Sequence, residues 1–216
     1  MMKLSVIVPV YNEVNTIGKV LKDIKRADVN VEEKEIIVVD DGSNDGTREF
    51  LSTLQESQIK VFLHKENKGK TEAIKTALSY ISGDIVIIQD ADLEYPPSKN
   101  YSLLLNSILE GWADVVYGSR FLGTHRVFYF WHYLANKFLT TLTNILYDTM
   151  LSDMETGAKA FKRKVLESIE FTSKGFCFEA EVTAKVFKKG FRVYEVPIYY
   201  CGRDYREGKK LNPLTV

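Results

Sequence analysis

Three short apolar runs, each followed directly by polar residues, constrain the fold of this chain more than any other feature of its sequence. They occupy residues 4–10, 35–39 and 85–88. A continuous apolar run of this length, rich in β-branched residues and bounded by turn-forming residues, is typical of a strand buried on both faces. The runs therefore predict the central strands of one buried sheet.

Apolar residues at helical spacing lie between and after these runs. One set is Ile17, Val20, Leu21 and Ile24. Another begins at Pro97 and ends before Gly111. Strands that alternate with amphipathic helices through short connections are typical of βαβ units, so we predict an α/β fold with a mainly parallel sheet flanked by helices. The length of 216 residues and the hydrophobic content of 45% suit one sizeable core, and we expect residues 1–216 to form a single domain.

An acidic segment follows the third run, with carboxylates at Asp90, Asp92 and Glu94. In extended chain, residues two apart point to the same side, so these carboxylates can converge on one ligand beyond the strand. Oxygen ligands of this kind suit Mg²⁺ or Mn²⁺, and an ion held by a few carboxylates usually binds a substrate's phosphates. The alternative is an acidic turn that only caps the strand.

Polar residues that follow the other predicted strands are expected at the same edge of the sheet, because open α/β sheets bind ligands beyond the carboxyl ends of their strands. Asp40 can accept hydrogen bonds from a base or a ribose. Asp41 begins a Gly-containing turn that lets backbone approach a ligand, although a plain tight turn is the alternative. Lys70 and Arg120 offer cations to a phosphate, and for Lys70 the alternative is a solvated loop.

Charge balance and missing motifs exclude several classes of function. Lys+Arg and Asp+Glu both number 29, so no net charge favours nucleic acid as a partner. The sequence has no GxxxxGK[ST] loop, which disfavours a P-loop nucleotide hydrolase, and no GxGxxG, which argues against a dinucleotide oxidoreductase. Cys177 and Cys201 lack metal-ligand spacing and are typical of idle thiols in a reducing compartment.

Residues 126–151 carry a helical stripe of large apolar side chains. The stripe consists of Trp131, Leu134, Phe138, Leu142 and Ile145. One interpretation is an ordinary helix that covers the core. The other is a pair of amphipathic helices at a membrane surface, favoured by neighbouring aromatic residues. The sequence has neither a signal peptide nor ~18 uninterrupted apolar residues, so we expect a cytoplasmic protein that associates peripherally with the membrane.

Several segments, taken in order, resemble the inverting family 2 glycosyltransferases, which have the GT-A fold. They are residues 5–13 (SVIVPVYNE), 38–43 (VVDDGS), 67–70 (NKGK) and 90–92 (DAD). Further segments resemble the polyprenyl-phosphate branch of that family, typified by dolichol-phosphate mannosyltransferase. They are residues 90–97 (DADLEYPP), 118–121 (GSRF), 153–159 (DMETGAK) and 203–210 (RDYREGKK). The resemblance covers essentially the whole chain and implies a Rossmann-like, nucleotide-diphospho-sugar transferase sheet.

The resemblance implies a nucleotide-sugar donor, linked to UDP or GDP. Four side chains would surround its base: Pro9, Tyr11, Glu13 and Asp40. Asp41 would lie near the ribose, and Lys70 and Asp90 would complete the nucleotide site. Asp90, Asp92 and Glu94 would hold Mg²⁺ or Mn²⁺ on the diphosphate. The family often has Gln where this chain has Glu94.

The acceptor that the resemblance implies is a polyprenyl (dolichyl-type) phosphate, met at a membrane surface. Arg120 would face the donor sugar or the acceptor phosphate, and Arg203 with Lys209 or Lys210 would close over phosphates. The last three belong to a basic tail, residues 199–216. A phosphate monoester is largely ionised near neutral pH and needs positioning more than a general base. The expected catalytic residues are therefore Asp92 through the metal, Arg120, and Asp153 if a base takes part.

Two other functions stay open from the sequence. A family 2 transferase that acts on a saccharide or protein hydroxyl needs a carboxylate base, and Asp153 and Glu155 can be interpreted that way. A non-catalytic nucleotide-sugar-binding protein is the other alternative, which the presence of Asp90, Asp92 and Arg120 disfavours. Neither the donor base nor the sugar follows from the sequence.

Overall fold

A seven-stranded sheet forms the centre of the computed structural model, which describes residues 2–127, 129–173 and 177–204. In chain order the strands are β1 (Lys3–Val10), β2 (Glu33–Asp40), β3 (Ile59–Leu63), β4 (Ile85–Ile88), β5 (Val115–Ser119), β6 (Lys159–Lys162) and β7 (Val193–Pro197). Their spatial order is β3-β2-β1-β4-β6-β5-β7. Strand β6 runs antiparallel to both neighbours, and the other pairings within the sheet are parallel. The predicted α/β fold with a mainly parallel sheet is confirmed.

Helices cover both faces of the sheet. They are α1 (Ile17–Arg26), α2 (Thr47–Ser52), α3 (Lys70–Leu78), α4 (Pro97–Leu109), α5 (Phe130–Tyr147), α6 (Arg163–Glu167) and α7 (Phe178–Lys188). Side chains alternate along a strand, so β1 directs Val6 and Val8 to one face and Ile7 to the other. The first face packs against α1, α2 and α4, and the second packs against α3, α6 and α7.

The order of the strands determines where a ligand can bind. From β1 the chain builds β2 and β3 on one side, and then crosses to place β4 on the other side of β1. Such a switch leaves a crevice at the carboxyl ends of the central strands. Because β6 is antiparallel, its amino end at Lys159 lies at the same edge as the carboxyl ends of β4 and β5. The loop that precedes β6 therefore reaches the crevice.

Helix α5 differs from the other helices because its apolar stripe is not buried. Every member of the stripe is more than a third exposed: Trp131, Leu134, Phe138, Leu142 and Ile145. The buried residues of α5 are Thr140 and Thr143 instead. The interpretation as a core-covering helix is therefore wrong, and the apolar stripe belongs to one long helix and not to the pair of helices of the other interpretation. Within the described ranges, none of the helices has the length and hydropathy that a bilayer-spanning segment requires.

Candidate active site

A cavity of about 1110 Å³ lies at the carboxyl ends of the central strands. Its lining includes ten of the predicted site residues: Pro9, Tyr11, Glu13, Asp41, Lys70, Asp90, Asp92, Glu94, Arg120 and Arg203. Asp40 and Asp153 are fully buried behind the wall. Lys209 and Lys210, predicted to bind phosphates, lie outside the described residues. The fold thus gathers most of the predicted residues around one space.

The acidic segment after β4 turns sharply and does not continue as extended chain. Leu93 has a left-handed backbone with φ of 64°, and the Gln89 side chain closes the turn by donating to the carbonyls of Asp90 and Tyr95. Asp92 Oδ1 accepts the Glu94 amide at 3.1 Å. The expectation that spacing alone aligns three carboxylates is therefore wrong. Among the residues described, no three acidic, His or Cys side chains are close enough to form a metal cluster.

Glu94 is directed toward the C-terminal segment. Its two carboxylate oxygens accept the Tyr200 hydroxyl and the Arg203 amide, both at 2.8 Å. The Arg203 guanidinium then pairs with Glu13, at 3.2 Å from each carboxylate oxygen, and with Asp92 Oδ2 at 3.2 Å. Arg203 thereby joins the end of β1 to the acidic segment.

The surroundings of Asp92 disfavour its negative charge, despite the nearby Arg203. Burial, together with the charges of Glu94 and Asp90, raises the pKa of Asp92 to about 7. A cation that binds beside such a carboxylate stabilises its ionised form, since the positive charge offsets both the desolvation and the repulsion from the neighbouring carboxylates. Asp90 and Asp92 therefore fit a divalent ion, which would compete with Lys70 for Asp90 and with Arg203 for Asp92. Both oxygens of Glu94 bind the C-terminal segment.

The two carboxylates at the end of β2, Asp40 and Asp41, hold neighbouring loops in place. Asp40 is fully buried and accepts Arg48 Nε at 3.2 Å. Asp41 accepts the amides of Lys68 and Gly69, at 2.9 and 2.7 Å, and pairs with His64 Nδ1 at 2.8 Å. Their predicted contacts with a base and a ribose stay predictions; Asp41 lines the cavity, and Asp40 lies buried behind its wall.

Lys70 forms a bridge on the cavity wall. Its Nζ lies 2.7 Å from both Asp90 Oδ1 and Glu179 Oε1. Burial alone lowers the pKa of Lys70, but the two carboxylates outweigh it and raise the pKa well above its ordinary value. Sequence reasoning missed Glu179, which is 109 residues away from Lys70 and resembles any acidic residue in the first turn of a helix.

Arg120 is fixed by a buried carboxylate. Its Nε and Nη2 donate to the two oxygens of Asp153, both at 2.7 Å. Glu195 in turn accepts the amides of Ser152 and Asp153, and Arg120 Nη2 reaches Asn136 of α5 at 3.3 Å. Asp153, expected as a base if one takes part, is fully buried and occupied by this pair. The arrangement favours Asp153 as the anchor of Arg120.

The loop before β6 approaches the acidic segment closely. A Cβ at Gly157 would collide with Asp90 Oδ2, and the Gly157 amide donates to the Tyr95 hydroxyl at 3.1 Å. The buried Lys159 holds this loop by donating to the carbonyls of Met154 and Thr156. Sequence reasoning missed Lys159, because a lysine at the start of a short strand usually points to solvent.

Known proteins resemble this chain in both sequence and fold. Residues 5–170 match the family model described as Glycosyl transferase family 2. This chain is a family 2 glycosyltransferase. It is 31% identical to the polyprenol monophosphomannose synthase of Mycolicibacterium smegmatis, and the match covers 92% of this chain and 77% of the relative.

Solved structures similar to this glycosyltransferase include glucosyl-3-phosphoglycerate synthase of Mycobacterium tuberculosis. Its complex with Mn²⁺, UDP-glucose and glycerol 3-phosphate matches with a TM-score of 0.73 at 25% identity, over 95% of this chain and 74% of that chain. Its complex with Mg²⁺ and UDP matches with a TM-score of 0.70 at 22% identity, over 95% and 74%. The predicted GT-A fold of the transferase is thereby confirmed.

Proposed function

We propose that this glycosyltransferase moves a sugar from a UDP- or GDP-linked donor to a polyprenyl (dolichyl-type) phosphate, with inversion, at the cytoplasmic face of a membrane. The observation that carries the proposal is the lining of the cavity. Asp90, Asp92 and Arg120 line the same space as Ala135 and Leu139 of the exposed helix α5. A charged cavity that continues along an apolar helix suits a substrate with a charged head and a hydrocarbon tail.

A divalent ion fits the donor end of the cavity. Asp90 and Asp92 would hold Mg²⁺ or Mn²⁺, and Glu94 would join them only by giving up its contacts with Tyr200 and Arg203. When bound, such an ion supplies positive charge that stabilises the departing nucleoside diphosphate. Complexes of the M. tuberculosis enzyme with Mn²⁺ or Mg²⁺ and UDP support this assignment.

The acceptor phosphate is assigned to Arg120. Asp153 and Asn136 hold its guanidinium on the cavity wall, so the cation is in place before the acceptor arrives. A phosphate oxygen then attacks the anomeric carbon in line, as the bond from that carbon to the diphosphate oxygen breaks. The acceptor is already ionised, so no proton has to be removed. The name of the M. smegmatis relative supports a polyprenyl phosphate acceptor.

In this proposal the exposed stripe of α5 contacts the membrane. Phe138 and Ile145 are 67% and 75% exposed, and Trp131 is 68% exposed. Large apolar side chains in a row along one helix are typical of segments that lie in the membrane interface. A peripheral position there brings the lipid phosphate to the mouth of the cavity.

Transfer to a hydroxyl group is the second candidate function. It is favoured by one observation, the carboxylate of Glu155 on the cavity wall, which could take the proton that a hydroxyl acceptor must lose. Transfer to a hydroxyl group gives no role to Arg120 or to the stripe of α5, whereas transfer to a lipid phosphate gives a role to both.

A donor and acceptor panel tests the proposal. UDP- and GDP-sugars are supplied with Mn²⁺ or Mg²⁺, with and without a short polyprenyl phosphate in detergent. We expect transfer to require both the metal and the lipid phosphate. Transfer to a saccharide hydroxyl without the lipid would overturn the proposed acceptor.

A further inference from the structure

Glu155 lies in the part of the cavity where the sugar of the donor is expected. In the strand order, β2 and β1 form one side of the crevice, β4 its middle, and β6 and β5 the other side. The proposed function assigns the nucleoside to the first side and the diphosphate to Asp90 and Asp92 after β4. A sugar attached to that diphosphate then extends toward the loop before β6, which carries Glu155.

The backbone on both sides of Glu155 is held rigidly. The Met154 amide donates to Thr140 Oγ1 at 3.1 Å, and Lys159 Nζ donates to the carbonyls of Met154 and Thr156. Two residues after Glu155, the Gly157 amide is bound to Tyr95. Held in this way, the backbone of Glu155 cannot move far, and its side chain lines the cavity.

The carboxylate of Glu155 is attracted by the charges of Lys159 and Arg120, but none of the described residues donates a hydrogen bond to it. It forms no hydrogen bond or ion pair with any residue in the ranges 2–127, 129–173 and 177–204. Burial raises the pKa of Glu155 above its ordinary value. A partly buried carboxylate without a protein donor is less stable than one in open solvent, and a ligand that supplies donors offsets this cost.

We propose that Glu155 is a specificity-determining residue that accepts hydrogen bonds from hydroxyl groups of the donor sugar. This inference rests on the proposed function. A phosphate is excluded as the partner, because two anions repel each other and Arg120 is available for the phosphate. Hydroxyl groups of a sugar are neutral donors, and a carboxylate with two free oxygens can accept from two of them at once.

Equilibrium binding separates the sugar from the nucleotide. Affinities for UDP and UDP-glucose, and for GDP and GDP-mannose, are measured with Mn²⁺ for the wild type and for the E155A and E155Q variants. We expect E155A to bind each nucleoside diphosphate within about twofold of the wild type, and to bind the preferred nucleotide-sugar about tenfold more weakly or worse. The affinity of E155Q for the nucleotide-sugar should lie between those of the wild type and E155A, since its amide retains one acceptor oxygen.

Deoxy analogues of the preferred donor identify the hydroxyl. Removing the hydroxyl that Glu155 binds should weaken binding to the wild type and cause no further loss in E155A, which is the signature of a direct pair in a double-mutant cycle. The matched control is E110A, which removes an exposed glutamate at the end of α4 and should behave as the wild type.

Three outcomes would overturn the inference. If E155A binds the nucleotide and the nucleotide-sugar equally more weakly than the wild type, Glu155 would have only a structural role in the loop. If E155A binds the nucleotide-sugar as tightly as the wild type but no longer transfers the sugar, Glu155 would instead be the general base for transfer to a hydroxyl acceptor. Failure of the wild type to bind any of the four nucleotides would overturn the proposed function, and this inference with it.

Discussion

The guanidinium of Arg203 lies 3.2 Å from Asp92 Oδ2, so a cation of the protein itself stands beside the carboxylate that is assigned to the metal. The same group pairs with Glu13, and its backbone amide binds Glu94. Without a bound ion, Arg203 offsets part of the negative charge of this segment. The segment 199–204 is thereby connected to the candidate metal site.

Replacing Arg203 tests this relationship. In R203M the carboxylates of Glu13 and Asp92 lose the Arg203 guanidinium, and we expect the free energy of unfolding to fall by about 1–3 kcal/mol. Mn²⁺ should restore part of the loss, because the ion takes over the neutralisation. Thermal melts with and without Mn²⁺ measure both effects, with R26M on the exposed end of α1 as the control. Equal melting temperatures for R203M and the wild type would contradict this stabilising role of Arg203.

The contact between Gly157 and Asp90 predicts a selective effect on metal-dependent binding. In G157A the added Cβ displaces the Asp90 carboxylate, so we expect nucleotide affinity in the presence of Mn²⁺ to fall about tenfold or more. The control is G83A, whose Cβ would come within 2.6 Å of the Ser5 amide at the other end of β1. Both variants should lose stability, and only G157A should lose Mn²⁺-dependent nucleotide affinity. Equal losses of affinity in G157A and G83A would count against a specific role of Gly157 at the metal site.

Glu35 predicts a pH-dependent contribution to stability. Burial alone raises its pKa, but hydrogen bonds from Ser5, Ser82 and Lys60 outweigh it and lower the pKa of Glu35 from 4.5 to about 2. A lowered carboxyl pKa stabilises the folded state above pH 4.5, and this stability is lost as the pH falls toward 2. We expect E35Q to be less stable by about 2–3 kcal/mol at pH 7.

Urea unfolding at a series of pH values checks this expectation. The difference in unfolding free energy between the wild type and E35Q should shrink as the pH falls from 4.5 toward 2. The exposed Glu110 provides the control variant E110Q. A difference that stays constant across this range would show that Glu35 acts through packing and not through its charge.

The stripe of α5 predicts membrane binding that can be removed without unfolding the protein. Phe138 is 67% exposed, so F138D should leave the melting temperature within a few degrees and should weaken flotation with vesicles that contain a polyprenyl phosphate. T141D places the same charge on another exposed position of α5. Loss of flotation in both variants, or in neither, would contradict the assignment of the stripe to the membrane interface.

The sheet could be predicted because its central strands are continuous apolar runs. Residues 4–10, 35–39 and 85–88 correspond to β1, β2 and β4, and the polar residues after them line or brace the cavity as expected. Strand β6 gave no such signal, since its four residues begin and end with lysine. Its antiparallel direction, which brings Glu155 and Gly157 to the site, follows from tertiary packing alone.

The details of the site depended on conformations that residue spacing does not encode. The left-handed backbone of Leu93 turns Glu94 toward Tyr200, whereas alternation in extended chain predicted convergence with Asp90 and Asp92. Glu179 and Lys159 are buried charged residues whose partners are distant in sequence or are backbone carbonyls. A sequence identifies the residue types of such a site, and the fold decides which of them meet.

The identity of the acceptor group is the central claim, and one comparison tests it most directly. The wild type and D92N are supplied with the preferred nucleotide-sugar, Mn²⁺, and either a polyprenyl phosphate or the corresponding polyprenol. D28N, on an exposed residue after α1, is the control. We expect the wild type and D28N to glycosylate the phosphate and not the alcohol, and D92N to lose about 100-fold or more of this rate. Equal transfer to the alcohol, or a fully active D92N, would contradict the account.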